Sequence, residues 1–418
     1  MIGDKCFATF LRKKYQCKTS YLYGMKPTDE LLGFVKEHAG DDLMRLLLSA
    51  SRYPSIDVAF AVDQIASRRK IKDKLPSWYA CDALLFPSKL SAEQCSSEQT
   101  ARYKQRLVNA GETLCDLTGG LGVDSYYFSR CTGHVDYIER FPSYCEVARH
   151  NFLVLGADNI NVIEGDCMSI VPTLPRVDVF YIDPARRGDA GQRVYALQDC
   201  EPDLTSVLPD LLLRAPKVIA KLSPMADIRQ TLERLPHTTC VHVLSVRNEC
   251  KELLFVVERD AAASPTLYCV NYNSSGGEET FVFTQEEERA ETLHVASRLG
   301  RFLYEPNASL LKAGAFKCVA TRFSVEKLHV SSHLYTSESW VEGFPGRSFV
   351  VEEVYPFSGG LCKKLSKEIP QANITVRNFP LSVEELRRRT KIKDGADVYL
   401  FATTIADGVK VIVKCRKP

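Results

Sequence analysis

The sequence predicts an α/β protein whose middle third is a doubly wound, mainly parallel sheet, and three observations predict it. First, between about residues 107 and 260, short apolar runs alternate with helical stretches: 113–117, 134–138, 160–163, 177–182 and 217–220. That alternation is the pattern of parallel strands covered by helices on both faces. Second, a Gly-rich turn follows the first run directly, at Thr118, Gly119, Gly120 and Gly122. Third, the runs 240–246 and 253–258 are joined by too few residues for a helical crossover, so they pair antiparallel.

The other elements fall on either side of this sheet. A chain of 418 residues exceeds one compact core and predicts several folding units. From Thr9 to about Arg106 apolar residues recur at helical spacing, as in Leu43, Leu46 and Leu47 and in Val58, Ala61 and Ile65, which predicts a helical region over 1–106. Its basic run, Arg68, Arg69, Lys70 and Lys72, reads first as a solvated helix face and second as a phosphate contact. After residue 261, Asn273 to Gly277 signal a hairpin and Gln285 to Arg298 a helix, giving a small β-plus-α module over 261–342. The remainder, 343–418, reads strand, helix, strand, helix, strand, strand, with a capping box from Ser382 to Glu385 and a tight hairpin at Asp407 and Gly408.

Composition excludes several classes. With 45% hydrophobic and 25% charged residues the chain is not a disordered one, and a net charge of +2 removes the basic excess of a protein that coats nucleic acid. The start at Met1, Ile2, Gly3 and Asp4 lacks a basic segment leading into an apolar core, and no apolar run reaches about 18 residues. The expectation is a cytoplasmic protein without a membrane partner. Fifteen cysteines lie scattered with no C-x-x-C spacing, so they read as reduced, buried small hydrophobes, and no metal site is expected.

The candidate cofactor site follows from the turn. In a doubly wound sheet a ligand lies beyond the carboxyl ends of the strands, where a Gly-rich bend admits it close to backbone amides. Asp116 precedes that bend; Glu139 and Arg140 end the second strand about twenty residues on, where a carboxylate can accept ribose hydroxyl protons. After the third strand Asp166 can accept an adenine amino proton, with Cys167 offering a backbone donor. A dinucleotide dehydrogenase is the competitor, but Thr118 stands where the first glycine of G-x-G-x-x-G belongs and no second dinucleotide half follows.

The fourth strand carries the most informative run, Ile182, Asp183, Pro184, Ala185, Arg186 and Arg187. The Asp-Pro pair resembles the start of the Asp-Pro-Pro-aromatic run of nucleic-acid amino methyltransferases, which implies that it accepts protons of an acceptor amine, although Ala185 and Arg186 replace the second proline and the aromatic that would stack on a base. The two arginines can stack on a base or clamp a phosphate. Lys221 and Ser223, beyond the next strand, are further acceptor candidates, as is the loop Arg247 to Glu252; the loop Lys221 to Met225 holds no cysteine to attack a base. The segment Ser96 to Lys104 reads as a helix capped by Ser97, with a lid over the cofactor as the alternative.

These motifs, the acid-and-small-residue turn, the Ile-Asp-Pro-Ala-Arg-Arg-Gly run and the tail pattern, resemble bacterial class I methyltransferases with a C-terminal THUMP-like domain. The resemblance implies a Rossmann-like, seven-stranded sheet over 107–260, a ferredoxin-like module over 261–342 and a THUMP-like domain over 343–418. It implies S-adenosylmethionine as cofactor, with Asp116 orienting the methionine amino group and Gly120 and Gly122 lying against the ligand. It also implies a structured RNA, rRNA or tRNA, as partner and a base as the methyl acceptor. The tail holds local positive charge for that task at Lys363, Lys364 and Lys367, at Arg387, Arg388, Arg389, Lys391 and Lys393, and at Lys414, Arg416 and Lys417. A small-molecule or protein methyltransferase, and a non-catalytic RNA-binding protein on the same scaffold, are the alternatives.

Overall fold

The computed structural model describes residues 27–186, 200–261 and 264–418. They form two compact units, one running to Lys221 and including Val257–Asp260, the other comprising Leu222–Val256 and Ala261–Pro418. Among the described residues, no helix is long and apolar enough to cross a membrane.

Among the described residues the first unit has six α-helices before its sheet, Asp29–Glu37, Leu43–Leu48, Val58–Ile71, Pro76–Tyr79, Lys89–Gln94 and Glu98–Lys104. Five begin at a side-chain cap (Thr28, Asp42, Asp57, Ser88 and Ser97), which supplies an acceptor to an otherwise orphaned first-turn amide. In the basic run of the third helix the two arginines are structural, Arg68 donating to the carbonyls of Tyr79 and Cys81 at 2.7 and 3.1 Å and Arg69 to that of Ala39 at 2.8 Å, whereas Lys70 and Lys72 are exposed.

Next come β1 (Thr113–Asp116), β2 (His134–Glu139), β3 (Ile160–Glu164), β4 (Val179–Ile182), β5 (Ala185–Arg186), β6 (Cys200–Glu201) and β7 (Lys217–Leu222). The parallel order is β7-β4-β1-β2-β3, with Leu114, Val135, Val179, Tyr181 and Ile219 buried together. This is the strand order in which the chain moves outward from β1 in one direction and then reverses, leaving a crevice at the reversal. β5 and β6 form a separate antiparallel ribbon that the sequence pattern does not announce.

In the second unit β8 (Thr238–Val246) and β9 (Glu249–Glu258) are joined by Arg247 and Asn248, both at positive φ (53° and 62°), the geometry of a two-residue hairpin. The hairpin β10 (Thr266–Tyr272) and β11 (Glu278–Thr284) does not open a new module at residue 261. β10 pairs parallel with β8 over its whole length, Thr266 opposite Cys240 to Tyr272 opposite Val246, which buries Leu267, Cys269 and Val270. The helix expected over Gln285–Arg298 stops at Ala290, because the backbone at His294 and Ala296 bonds instead with Lys327.

A second sheet contains β12 (Phe302–Pro306), β13 (Glu326–Lys327), β14 (Tyr335–Ser337), β15 (Gly346–Pro356), β16 (Asn373–Arg377), β17 (Val398–Thr404) and β18 (Lys410–Arg416), in the order β13-β14-β12-β15-β18-β17-β16. The two C-terminal pieces therefore share one continuous sheet through the β12–β15 ladder. Helices Leu361–Glu368 and Val383–Thr390, the latter with the expected capping box at Ser382, cover one face through Leu361, Leu365 and Leu386. Leu303, Phe349, Phe401 and Val413 pack on the other.

Candidate active site

At the carboxyl ends of the parallel strands lies a cleft of about 820 Å³. It is lined by the β1 turn, Glu139 to Phe141 after β2, Gly165 to Met168 after β3, Asp183 to Ala185 after β4, Glu201 to Asp203, Lys221, and the Ser91–Ser96 segment. Asp116, Thr118, Gly119, Gly120, Gly122, Glu139, Arg140, Asp166, Cys167, Asp183, Pro184 and Lys221 thus share one cavity.

Asp116 is 1% exposed and accepts the Thr118 amide at 3.0 Å and the Ser125 hydroxyl. Burial drives its carboxyl up to about 7, with those two hydrogen bonds opposing the rise. The glycines of the bend have different reasons. A Cβ on Gly119 would fall 2.2 Å from the Tyr137 ring, and one on Gly122, held at φ +83°, would fall 2.7 Å from Phe152. Gly120 has φ +57° but no steric neighbour nearer than 3.8 Å.

Glu139 accepts the amides of Gly120 at 3.0 Å and Phe141 at 2.9 Å, while Tyr137 donates its hydroxyl to the Gly120 carbonyl at 2.6 Å. β2 and the bend are thereby locked to one another. Asp166 caps the helix Cys167–Ile170 and accepts the Met168 amide at 2.9 Å. Arg140 turns to Glu201, at 2.9 Å. The Cys167 thiol is pushed up to about 11 by burial and by Asp166, which keeps it protonated. Phe141 and Met168 line the same cleft and are 50% and 46% exposed, a large apolar surface that the sequence reading missed; its signal is an apolar residue just past each strand-end acid.

At the far end Lys221 donates to Asp183 at 2.6 Å, and the Asp183 amide donates to the Thr118 hydroxyl at 2.7 Å. Lys221 also reaches Ser96 at 3.2 Å. Ser96 links to Asp124 at 2.8 Å and receives the fully buried Lys104 at 2.7 Å; Lys104 in turn holds Asp124 at 2.9 Å. Burial raises the Asp124 carboxyl, but Lys104 and Lys221 outweigh it and hold the group below its usual range. Ser96 and Lys104 lie in the segment read as a capped helix or a lid, but neither they nor Asp124 was singled out as a site residue, since a buried lysine in a helix has no local signature. Ser97 is the cap of Glu98–Lys104, bonded to the Thr100 amide at 3.2 Å.

Ser223 belongs to the second unit, where its hydroxyl accepts the Met225 amide at 3.2 Å. Arg186 contributes backbone to β5, pairing with Cys200, and Arg187 lies outside the described residues. In the tail, Arg387 is spent internally on the carbonyls of Ile392 and Ala372 and on Asp394, and Lys414 and Arg416 pair with Glu352. Lys363, Lys367, Arg389, Lys391 and Lys393 are exposed.

The cleft carries the carboxylates of Asp116, Glu139, Asp166, Asp183, Glu201 and Asp203 against the cations Arg140 and Lys221. Such a field favours a positively charged ligand.

Comparison with known proteins agrees with this architecture. Residues 302–345 match a ferredoxin-like domain model and residues 346–417 a THUMP domain-like model. The ferredoxin-like match thus begins after the β10–β11 hairpin. A region of 165 residues, 37% of this chain, is 26% identical to an uncharacterized RNA methyltransferase of Halalkalibacterium halodurans, and it spans 36% of that protein's length. A crystal structure of a proposed methyltransferase from Porphyromonas gingivalis W83 is 40% identical and superposes with a TM-score of 0.84, covering 93% of this chain and 97% of that one. The chain belongs to the family of that protein, bacterial class I methyltransferases that end in a ferredoxin-like and a THUMP-like domain.

Proposed function

We propose that the protein transfers a methyl group from S-adenosylmethionine to a base in a structured RNA, rRNA or tRNA. The observation that carries this reading is the convergence of Asp116, Glu139 and Asp166 on one acidic cleft that ends at the Asp183–Lys221 pair. The cleft fits the cofactor in size and charge, and its half-exposed Phe141 and Met168 offer apolar surface for a purine. In this reading Glu139 takes the ribose hydroxyls, Asp166 the adenine amino group and Asp116 the methionine ammonium, while Gly119, Gly120 and Gly122 admit the ligand against the backbone. When bound, the cofactor supplies an already activated methyl on a sulfonium, so the residues around it need mainly to position the acceptor in line. Asp183 and the Pro184 carbonyl receive acceptor protons or hydrogen bonds, and Lys221 balances the Asp183 charge.

The RNA part of the reading is supported by the name of the Halalkalibacterium relative and by the THUMP-like match. We assign chemistry to 107–260 and RNA capture to 343–418, by the exposed cations Lys363, Lys367, Arg389, Lys391 and Lys393. The test is calorimetry with S-adenosylmethionine on the native chain and on Glu139→Ala, followed by transfer of labelled methyl into RNA, protein and metabolite fractions. Binding weakened by the substitution, with label in RNA, is expected. Label only in protein or metabolites would replace the acceptor, and absent binding would leave a scaffold without cofactor.

A further inference from the structure

The second sheet carries a charged cluster that belongs to none of the motifs used above. Glu305, on β12, is 1% exposed, yet its carboxylate meets two guanidinium groups. Arg347, on β15, donates Nε to Glu305 Oε2 at 2.8 Å; Arg377, on β16, donates Nε and Nη2 to Oε1 at 3.1 and 2.9 Å. One carboxylate thus fixes two arginines, and Thr375 steadies Arg347 from the side at 3.4 Å. The arginine side chains remain 40% and 38% exposed. Among the described residues neither Nη1 group has an acceptor.

The charge does not balance. Two cations share one anion; beyond them Lys327, 2% exposed, is held by the Val330 carbonyl at 2.7 Å and by His333 Nδ1 at 3.2 Å, with the Glu288 carboxylate as its charged neighbour. His333 is kept neutral, its imidazole pushed down to about 4 by burial, then by Lys327 and Arg377. If the triad served only to stabilise the fold, one arginine would neutralise Glu305, because a buried ion pair gains little beyond neutrality. A second guanidinium, immobilised with its outer edge toward water, is the arrangement that accepts a tetrahedral oxyanion by forked hydrogen bonds.

We infer that Arg347 and Arg377, oriented by the buried Glu305, form a phosphate-binding site that grips a backbone phosphate of the RNA. This rests on the RNA reading above but is separate from the cleft and from the helix-borne cations Lys363, Lys367 and Arg389. Preorganisation by Glu305 removes most of the ordering cost that a free arginine pays on binding.

The test uses the full chain, a labelled 30-nucleotide RNA hairpin and, separately, inorganic phosphate. The variant Glu305→Gln with Arg377→Gln removes one charge of each sign, so the site's net charge is kept and no buried carboxylate is left unpaired; thermal unfolding verifies its fold. Hairpin affinity is expected to fall roughly tenfold, with the salt slope reduced by about 1, while S-adenosylmethionine affinity stays unchanged. Arg377→Lys, which keeps charge but loses the fork, is expected to fall between the two. A folded double variant that binds the hairpin with native affinity and slope overturns the proposal. Loss of inorganic phosphate binding alone, with hairpin affinity intact, also overturns it, by showing a site for the free ion. Native loss of cofactor binding, by contrast, would sink the methyltransferase reading and leave this one standing.

Discussion

Lys221 Nζ lies 2.6 Å from Asp183 Oδ2, on the wall of the cleft at the carboxyl ends of the parallel strands. The lysine side chain is 12% exposed and the aspartate 39%, so the aspartate is the more exposed member of the pair. Replacing Asp183 with Ala is expected to lower kcat for methyl transfer roughly 10²-fold or more while changing S-adenosylmethionine affinity less than about threefold. Steady-state kinetics beside calorimetry checks this; an equal loss in both would move Asp183 from the acceptor to the cofactor.

Asp116 gives the free protein a pH dependence of known sign. Its carboxyl titrates near 7 when folded against 3.8 as the ordinary value, so the folded state holds an extra proton between these limits. By linkage the free protein loses stability as pH rises from about 4 to about 7, and the contribution is level outside that window. Asp116→Asn keeps an acceptor for Thr118 and lacks the titration. Its melting temperature relative to the native chain should therefore climb between pH 5 and pH 8, and a constant difference would contradict the assignment. A cationic ligand beside Asp116 lowers its pKa, so cofactor binding at pH 6 should release a proton, read as a buffer-dependent heat.

The glycines of the bend should not respond alike. Gly120→Ala meets only positive φ and is expected to cost about 1 kcal/mol. Gly119→Ala would drive a methyl into the Tyr137 ring and Gly122→Ala into Phe152, the latter with backbone strain as well, each costing roughly 1–3 kcal/mol or more. Chemical denaturation of the three variants gives the ranking, and a Gly120 variant as damaged as the others would refute it.

Lys104 is 0% exposed and answers Asp124. Lys104→Met strands a buried carboxylate and is expected to cost about 3–5 kcal/mol, whereas adding Asp124→Asn should restore a good part of it. A double-mutant cycle by denaturation tests the coupling; additive losses would mean that the pair does not act as a unit.

The sequence by itself determined the parallel sheet, its acid-bearing strand ends and its glycine bend, because apolar period, turn chemistry and strand length are local properties that survive without knowledge of the fold. It also placed Ser97 and Ser382 as caps, since a cap acts within three residues. Tertiary structure alone decided which strand the Asn273 hairpin would join, because a turn fixes its own two strands and says nothing of the edge they find. It alone brought Ser96 and Lys104 behind Lys221, and Arg347 and Arg377 onto Glu305, the last pair of partners 72 residues apart. Burial turns such meetings into strong interactions, and burial is a property of the packed chain that no short stretch of residues encodes.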